Sequence, residues 1–200
     1  MQPQNPLLKT LVDVEDSILI VIDVQDSFLT KLPALEARQL VSRIRWLVQA
    51  AGLLDVPVIA TAEDIPNSGD ISKDIGEKLP PGTTVFNKMV FNLVDNPEIF
   101  AAVTAAGRKT AILTGLETDV CVAHTALGLL GEGFQVAVVV DAVGSPGTAH
   151  AFGLERMKAA GVAQTHVKGL YYEWVRSVKR THDLHQQHGK SLRFPEGITF

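Results

Sequence analysis

Three residues that could perform covalent chemistry lie far apart in the chain: Asp23, Lys88 and Cys121. Each follows, or ends, a short apolar stretch of the kind that forms a strand. A thiolate needs a base to take its proton and a cation to hold its charge, and a carboxylate and an ammonium can supply these two functions. Because the carboxyl ends of the strands in an open α/β sheet border one crevice, we expect the three side chains to meet there. The pattern predicts a nucleophilic cysteine assisted by the other two groups.

Cys121 is the only cysteine and lies in TGLETDVCVAHT, where a strand is expected to turn sharply into a helix. Thr118 or Asp119 is the predicted N-cap of that helix, which places the cysteine in its first turn. The free N–H groups and the helix macrodipole favour a thiolate at this position, whereas the charges of Glu117 and Asp119 raise the pKa of a neighbouring thiol. The alternative is that Cys121 is a small buried hydrophobe. Asp23 could likewise be a turn acid and Lys88 a surface group.

Apolar runs and turn residues predict six strands, at residues 17–22, 57–61, 83–86, 109–114, 135–140 and 162–167. Helices are predicted between them, including 34–51, 97–106 and 146–160. This alternation predicts an α/β fold with a parallel, doubly wound, Rossmann-like sheet. We expect a single domain over residues 1–200, with its core at 17–167 and a C-terminal helix and tail at 170–200. The polar segment 62–82 is expected to form a loop over the pocket.

Five further side chains beside these strand ends are candidate substrate contacts: Gln25, Phe28, Phe86, Phe91 and Leu116. Gln25 could also orient the carboxylate of Asp23. The four apolar candidates are suited to pocket walls, although each could equally belong to the core.

Composition excludes several classes of partner. The net charge of −4 comes without clustered basic residues, so no nucleic acid is expected. No apolar run is long enough to span a bilayer, so no membrane is expected either. A lone cysteine cannot form an internal disulfide, which favours the reducing cytoplasm. His182, His185 and His188 recur near one helical face, but no evident ligand set completes them, and we expect no metal and no cofactor.

The motifs VIDVQDSF, VFNKMVFN and TGLETDVCVAHT together resemble those of the isochorismatase-like cysteine hydrolase superfamily, which includes nicotinamidases and N-carbamoylsarcosine amidases. The resemblance covers residues 17–167. It implies that Asp23, Lys88 and Cys121 form a catalytic triad on a six-stranded sheet in a three-layer α/β/α sandwich. It also implies a cis peptide between Leu116 and Glu117. The backbone N–H groups of Glu117 and Cys121 would then form an oxyanion hole.

The expected function is hydrolysis of a small amide or carbamoyl C–N bond through a thioester. In this mechanism Asp23 accepts the proton of Cys121 and returns it to the leaving amine. Nicotinamidases bind a metal through an Asp and His cluster after the second strand, but the corresponding AEDIPNSGD has no histidine. The alternative is a catalytically silent member that acts as a binding or scaffold protein. A nucleotide-binding Rossmann domain is disfavoured because no glycine-rich turn follows the first strand.

The resemblance further implies a homo-oligomer, between a dimer and an octamer. Two aromatic features are compatible with subunit contacts. Trp46 lies off the apolar stripe of its predicted helix. Tyr171, Tyr172 and Trp174 begin the C-terminal segment and should dock on the core or on another subunit.

Overall fold

A computed structural model describes residues 11–189, 194–195 and 197–198. The six strands are β1 Ser17–Ile22, β2 Val58–Glu63, β3 Val85–Lys88, β4 Thr110–Leu116, β5 Gln135–Gly144 and β6 Ala163–Thr165. The α-helices are α1 Asp26–Leu29, α2 Ala34–Leu53, α3 Ile65–Ser68, α4 Lys73–Gly76, α5 Pro97–Ala105, α6 Ala123–Gly131, α7 Ala149–Ala159, α8 Val167–Val175 and α9 Val178–His188. A π-helical turn, Thr118–Val122, joins β4 to α6.

The strands form one parallel sheet in the order β3-β2-β1-β4-β5-β6. The chain begins at the centre with β1, continues outward to β3, and then crosses to β4 on the other side. A crevice opens at the carboxyl ends of β1 and β4, where the strand order reverses, and such switch points are where open α/β sheets bind ligands. The predicted doubly wound α/β fold is confirmed.

Helices cover both faces of the sheet. Leu19 and Val21 of β1 pack into a cluster with α2 and α8, whereas Ile18, Ile20 and Ile22 pack into a second cluster with α5, α6 and α7. Every residue of β1 is therefore buried. A strand covered on both faces needs a continuous apolar run, and SILIVI is such a run.

Four strands extend beyond their predicted carboxyl ends. β2 continues to Glu63, β3 ends at Lys88, β4 continues to Leu116 and β5 continues to Gly144. The segment predicted as a loop after β2 contains the short helices α3 and α4, and Ile71 forms an antiparallel bridge with Gln25. The longer strands carry polar residues of β2 and β3 up to the crevice.

The prediction that Trp46 marks a subunit contact is wrong, because its side chain packs inside its own chain. The indole is buried, lies 5.2 Å from the ring of Tyr171 and stacks on Phe194 at 4.5 Å. Trp174 is fully buried as well, and its Nε1 donates a hydrogen bond to the Ser17 hydroxyl at 3.0 Å. The aromatic C-terminal segment thus docks on the core of its own chain.

The C-terminal segment forms two helices, α8 and α9, where one was predicted. The break falls at Arg176, whose φ of +67° lies in the left-handed region and ends α8. The predicted tail falls partly outside the described residues. Among the helices of the described part of the chain, none has the length and apolar character that crossing a bilayer requires.

Candidate active site

The structure brings Asp23, Lys88 and Cys121 together at the carboxyl edge of the sheet. The Nζ of Lys88 lies 2.8 Å from Asp23 Oδ2 and 3.6 Å from Cys121 Sγ. Asp23 follows β1, Lys88 ends β3, and Cys121 lies in the π-helical turn after β4. The edge of the parallel sheet therefore gathers residues that are distant in sequence.

Asp23 is fixed by the neighbouring strand β2. Its backbone has a φ of +49°, and its N–H donates to the carbonyl of Thr61 at 3.0 Å. The Thr61 hydroxyl donates to Oδ1 at 2.8 Å, while Oδ2 forms the ion pair with Lys88. Both carboxylate oxygens are thus engaged, and the residue has no exposed surface.

Lys88 is a fully buried ammonium. Its Nζ also donates to the carbonyl of Val90 at 2.7 Å. Burial opposes the charged form, but the negative charges around it, first that of Asp23 and also that of Glu63, favour the ammonium, and the pKa of Lys88 lies above its ordinary value. For Asp23, burial raises the carboxyl pKa and Lys88 limits the rise. Asp23 thus holds the ammonium of Lys88 as a fixed positive charge beside the sulfur.

The thiol of Cys121 is buried, with 4% of the residue exposed. Burial raises the pKa of this thiol above its ordinary value, the charge of Asp23 adds to the rise, and Lys88 opposes it. Desolvation outweighs the nearby ammonium, so neither the helix start nor Lys88 brings the pKa of this thiol below its ordinary value.

The turn that carries Cys121 is held by side chains in a different way from that predicted. The N-cap is Glu117, which makes no side-chain capping bond. The hydroxyl of Thr118 lies 2.9 Å from Nδ1 of His150, and Asp119 accepts a hydrogen bond from the Ser145 hydroxyl at 2.7 Å. Both predicted capping side chains thus tie the turn to the segment that follows β5.

Two glycines allow the backbone to pack closely around this turn. At Gly115, with a φ of +120°, an added Cβ would lie 1.9 Å from the carbonyl oxygen of Ile22. At Gly153 of α7, an added Cβ would lie 2.7 Å from Cα of Asp119. β4 can therefore pass close to β1, and α7 can press directly on the π-helical turn.

Glu63 is a site residue that sequence reasoning missed. Its Oε2 accepts a hydrogen bond from Cys121 Sγ at 3.2 Å and lies 3.8 Å from Nζ of Lys88. The residue ends β2, two positions beyond the predicted end of that strand. A strand end at the same sheet edge is the available signal, but the apolar run predicts a strand that stops at residue 61 and leaves Glu63 in the loop 62–82.

Gln25 holds Glu63 in place. Its Nε2 donates to the carbonyls of Glu63 and Gly69 at 2.8 and 2.6 Å, and its Oε1 accepts from the Glu63 N–H at 2.7 Å. The residue is fully buried. The structure contradicts its predicted role as a substrate contact, because the amide is committed to backbone groups and does not reach the cavity.

A cavity of about 250 Å³ opens above the sulfur, lined by Phe28, Lys31, Glu63, Phe91, Leu116, Glu117, Val120 and Cys121. The structure thus places Phe28, Phe91 and Leu116 on its walls. Phe86 lies elsewhere, in a depression beside residues 55–59 and 80–84, so its prediction as a wall of this cavity is wrong. Phe86 precedes Lys88 by two residues on β3, so it lies on the same face of the sheet but farther from the carboxyl edge.

An ion pair marks the rim of this cavity. Lys31 Nζ lies 2.8 Å from Glu117 Oε1 and 4.4 Å from the centre of the Phe28 ring. The peptide between Leu116 and Glu117 is cis, as the family resemblance implied. Leu116, Glu117 and Cys121 all line the cavity.

Asp23, Glu63 and Cys121 offer ligand atoms that lie within 4.8 Å of one another, the spacing of a metal site. The ammonium of Lys88, however, lies between 2.8 and 3.8 Å from these same three groups. Its charge opposes a divalent cation at this point. The ammonium of Lys88 therefore occupies the position among these three groups that a metal ion would need.

The sequence matches the family model described as the isochorismatase domain over residues 17–168. The chain belongs to the isochorismatase family. A relative in Phytophthora sojae, named a secreted isochorismatase effector, Isc1, is 36% identical over 164 residues, which cover 78% of this chain and 76% of the relative.

Solved structures of the family have the same fold. YcaC from Escherichia coli, described as an octameric hydrolase of unknown specificity, superposes with a TM-score of 0.81 at 25% identity, over 96% of this chain and 95% of YcaC. YcaC from Pseudomonas aeruginosa, solved with hexane-2,5-diol and covalent acrylamide, gives a TM-score of 0.78 at 25% identity, over 92% of this chain and 89% of that one.

Proposed function

We propose that the protein is a cysteine hydrolase that cleaves a small amide or carbamoyl C–N bond through a thioester intermediate. One observation carries this proposal. The thiol of Cys121 borders a small cavity, with the ammonium of Lys88 at 3.6 Å and the carboxylate of Asp23 in hydrogen-bond contact. A thiol with a proton acceptor and a charge-stabilising cation in contact is the arrangement that nucleophilic catalysis needs.

In the proposed reaction Cys121 Sγ attacks the carbonyl carbon while its proton passes to Asp23, which returns the proton to the leaving amine as the C–N bond breaks. Lys88 stabilises the thiolate as it forms, and Asp23 keeps Lys88 in place through the 2.8 Å ion pair. The backbone N–H groups of Glu117 and Cys121 are the proposed oxyanion hole. Both residues border the cavity, which supports that assignment. Water then hydrolyses the thioester.

The size and walls of the cavity support a small substrate. Its volume of about 250 Å³ is below the range typical of drug-sized ligands. Phe28, Phe91 and Leu116 suit a short apolar or planar acyl group. The covalent acrylamide in Pseudomonas aeruginosa YcaC supports a reactive nucleophile in that relative, because acrylamide alkylates nucleophiles at its carbon–carbon double bond.

Two properties accompany the proposed activity. We propose a homo-oligomer, which the octamer of Escherichia coli YcaC supports and which sedimentation or light scattering would measure. We also propose a cytoplasmic location, because a catalytic thiol must stay reduced.

A screen of small primary amides, ureas and carbamates, read by release of ammonia or amine, tests the proposal. The wild type should hydrolyse at least one class, while Cys121→Ala should be inactive and Cys121→Ser severely impaired. A Cys121→Ser protein with full turnover would refute the thioester route. Absence of turnover, together with an unreactive thiol, would favour the binding or scaffold alternative.

A further inference from the structure

The cavity above Cys121 holds a carboxylate to which the proposed reaction gives no role. Asp23 is hydrogen-bonded to the Cys121 thiol and exchanges the proton in that reaction, while Lys88 stabilises the sulfur. Glu63 does neither, yet its Oε2 accepts a hydrogen bond from the same thiol at 3.2 Å. A polar group that touches the reacting atom without taking part in the chemistry is well placed to bind the substrate.

Glu63 faces the space that a substrate would fill. Its side chain is 24% exposed and lines the cavity of about 250 Å³. Within the described part of the chain, the hydrogen bond and the ion pair found for its carboxylate both use Oε2, so Oε1 is open to a ligand. Gln25 bonds the N–H and the carbonyl of Glu63. The backbone is therefore fixed at this position, and the carboxylate is held at the cavity wall.

The other charged side chains of the cavity do not neutralise Glu63. Lys31 and Glu117 pair with each other at 2.8 Å at the rim. The Nζ of Lys88 lies 3.8 Å from Oε2, beyond hydrogen-bond distance, and pairs more closely with Asp23, at 2.8 Å. The side of the cavity next to the sulfur thus presents a hydrogen-bond acceptor with a negative charge.

The first step of the proposed reaction removes the donor that Glu63 has in the resting protein. Once the proton of Cys121 has passed to Asp23, the S–H group that Oε2 accepts no longer exists. A largely buried acceptor that loses its hydrogen bond costs free energy unless another donor replaces the lost one. A nitrogen on the carbon that Sγ attacks would be two bonds from the sulfur, and so close enough to donate its N–H to Glu63.

We propose that Glu63 determines substrate specificity, a proposal that rests on the function proposed above. Its carboxylate accepts a hydrogen bond from an N–H group beside the reacting carbonyl, and its charge excludes compounds with an anionic group there. The substrates are then uncharged primary amides, ureas and carbamates. Amides that carry a carboxylate next to the carbonyl are rejected. Asp23 transfers the proton, and Glu63 selects the compound.

Three alkylating probes of the Cys121 thiol measure this selectivity. Iodoacetamide is neutral and carries N–H donors, iodoacetate carries a negative charge in their place, and N,N-dimethyl iodoacetamide is neutral without an N–H. Cys121 is the only cysteine, so every probe reports on the same thiol. Because all three react with its thiolate, the ratio of two rates cancels any effect of a substitution on ionisation of the thiol. The same ratios in urea-unfolded protein give the intrinsic reactivity of each probe.

The folded wild type should favour iodoacetamide over both other probes more strongly than the unfolded protein does. Glu63→Gln removes the charge but keeps an acceptor. It should lower the preference over iodoacetate by about tenfold and leave most of the preference over the dimethyl probe. Glu63→Leu removes the charge and the acceptor, and it should lower both preferences by about tenfold.

Asp64→Asn is the matched control. It removes the same charge from the adjacent residue, which does not line the cavity. The Asp64 carboxylate accepts from the Asn67 amide, and asparagine tolerates the φ of +45°. Both preferences should equal those of the wild type. Circular dichroism and melting curves show whether each variant is folded.

Preferences that stay unchanged in both Glu63 variants, or that shift equally in Asp64→Asn, would overturn the role of Glu63. Formation of an acyl adduct on wild-type Cys121 by a small amide or urea then distinguishes the two possible failures. If the adduct forms, the thioester route stands and Glu63 alone is misassigned. If it does not form, the proposed function fails together with the inference. A folded wild type that reacts with none of the probes would overturn both.

Discussion

Replacing Lys88 by methionine should destabilise the fold, and the loss should grow as the pH rises. Lys88 and Asp23 are both fully buried and form an ion pair at 2.8 Å. Methionine is close to lysine in volume, so the change mainly removes the charge. Asp23 is then left as a buried carboxylate whose remaining hydrogen-bond partners are the Thr61 hydroxyl and the Cys121 thiol.

Breaking a buried ion pair by removing one partner typically costs about 3–5 kcal/mol. For a chain of this size, each kcal/mol lowers Tm by about 2–4 °C, so Tm should fall by roughly 6–20 °C. The surface variant Lys73→Met, which loses an exposed pair with Glu77, should change stability little.

The dependence on pH follows from the carboxyl group of Asp23. Burial holds its pKa above the ordinary value of 3.8, and Lys88 limits that rise. Without Lys88 the pKa rises further, so the folded state keeps a proton that the unfolded state has already released. Stability then falls as the pH increases from the ordinary value through the raised one. In strong acid, where Asp23 is protonated in both states, the effect of Lys88→Met should be smallest.

Urea unfolding followed by circular dichroism, at acidic and at mildly alkaline pH, measures this effect. The double variant Asp23→Asn/Lys88→Met leaves no buried charge and should regain much of the lost stability. The reasoning would be refuted if Lys88→Met were as stable as the wild type at alkaline pH, or if its loss were larger in acid.

Two further substitutions test how the site is supported. Gly153→Ala should lower Tm and slow alkylation of the Cys121 thiol severalfold, because the added Cβ would lie 2.7 Å from Cα of Asp119. Gly131→Ala is the control, since open space surrounds its Cβ, and it should change neither quantity. Equal effects of the two substitutions would contradict this account. Gln25→Ala should lower the free energy of unfolding by about 1–3 kcal/mol and weaken the preference for iodoacetamide over iodoacetate, because buried partners lose their bonds and Glu63 loses its anchor. A stable Gln25→Ala protein with an unchanged preference would show that Glu63 is positioned by other groups.

The sequence predicted correctly those strands and strand-end residues whose burial in the folded protein is reflected in the local pattern of apolar residues. The run SILIVI matches β1 in both bounds because a central parallel strand is buried on both faces, and no polar residue interrupts it. The placement of Asp23 and Lys88 followed from the same pattern, since a polar residue after a buried strand must lie at the sheet edge. These inferences depend only on residues close together in the chain.

Features that depend on distant contacts could not be predicted in the same way. β2 extends to Glu63 because it pairs with β3 at Lys88, a contact that the charged end of the strand does not reveal. Trp46 is buried because α8 covers the flank of α2, which the stripe on α2 alone does not show. The state of the Cys121 thiol depends on the depth of its burial, which sequence reasoning could not supply.

Intact-protein mass spectrometry after rapid mixing with small amides and ureas tests the central claim most directly. The wild type should carry a transient acyl mass on Cys121, located by peptide mapping, and Cys121→Ala should carry none. Turnover of a substrate without any adduct on Cys121, or the same adduct on Cys121→Ala, would contradict the thioester mechanism.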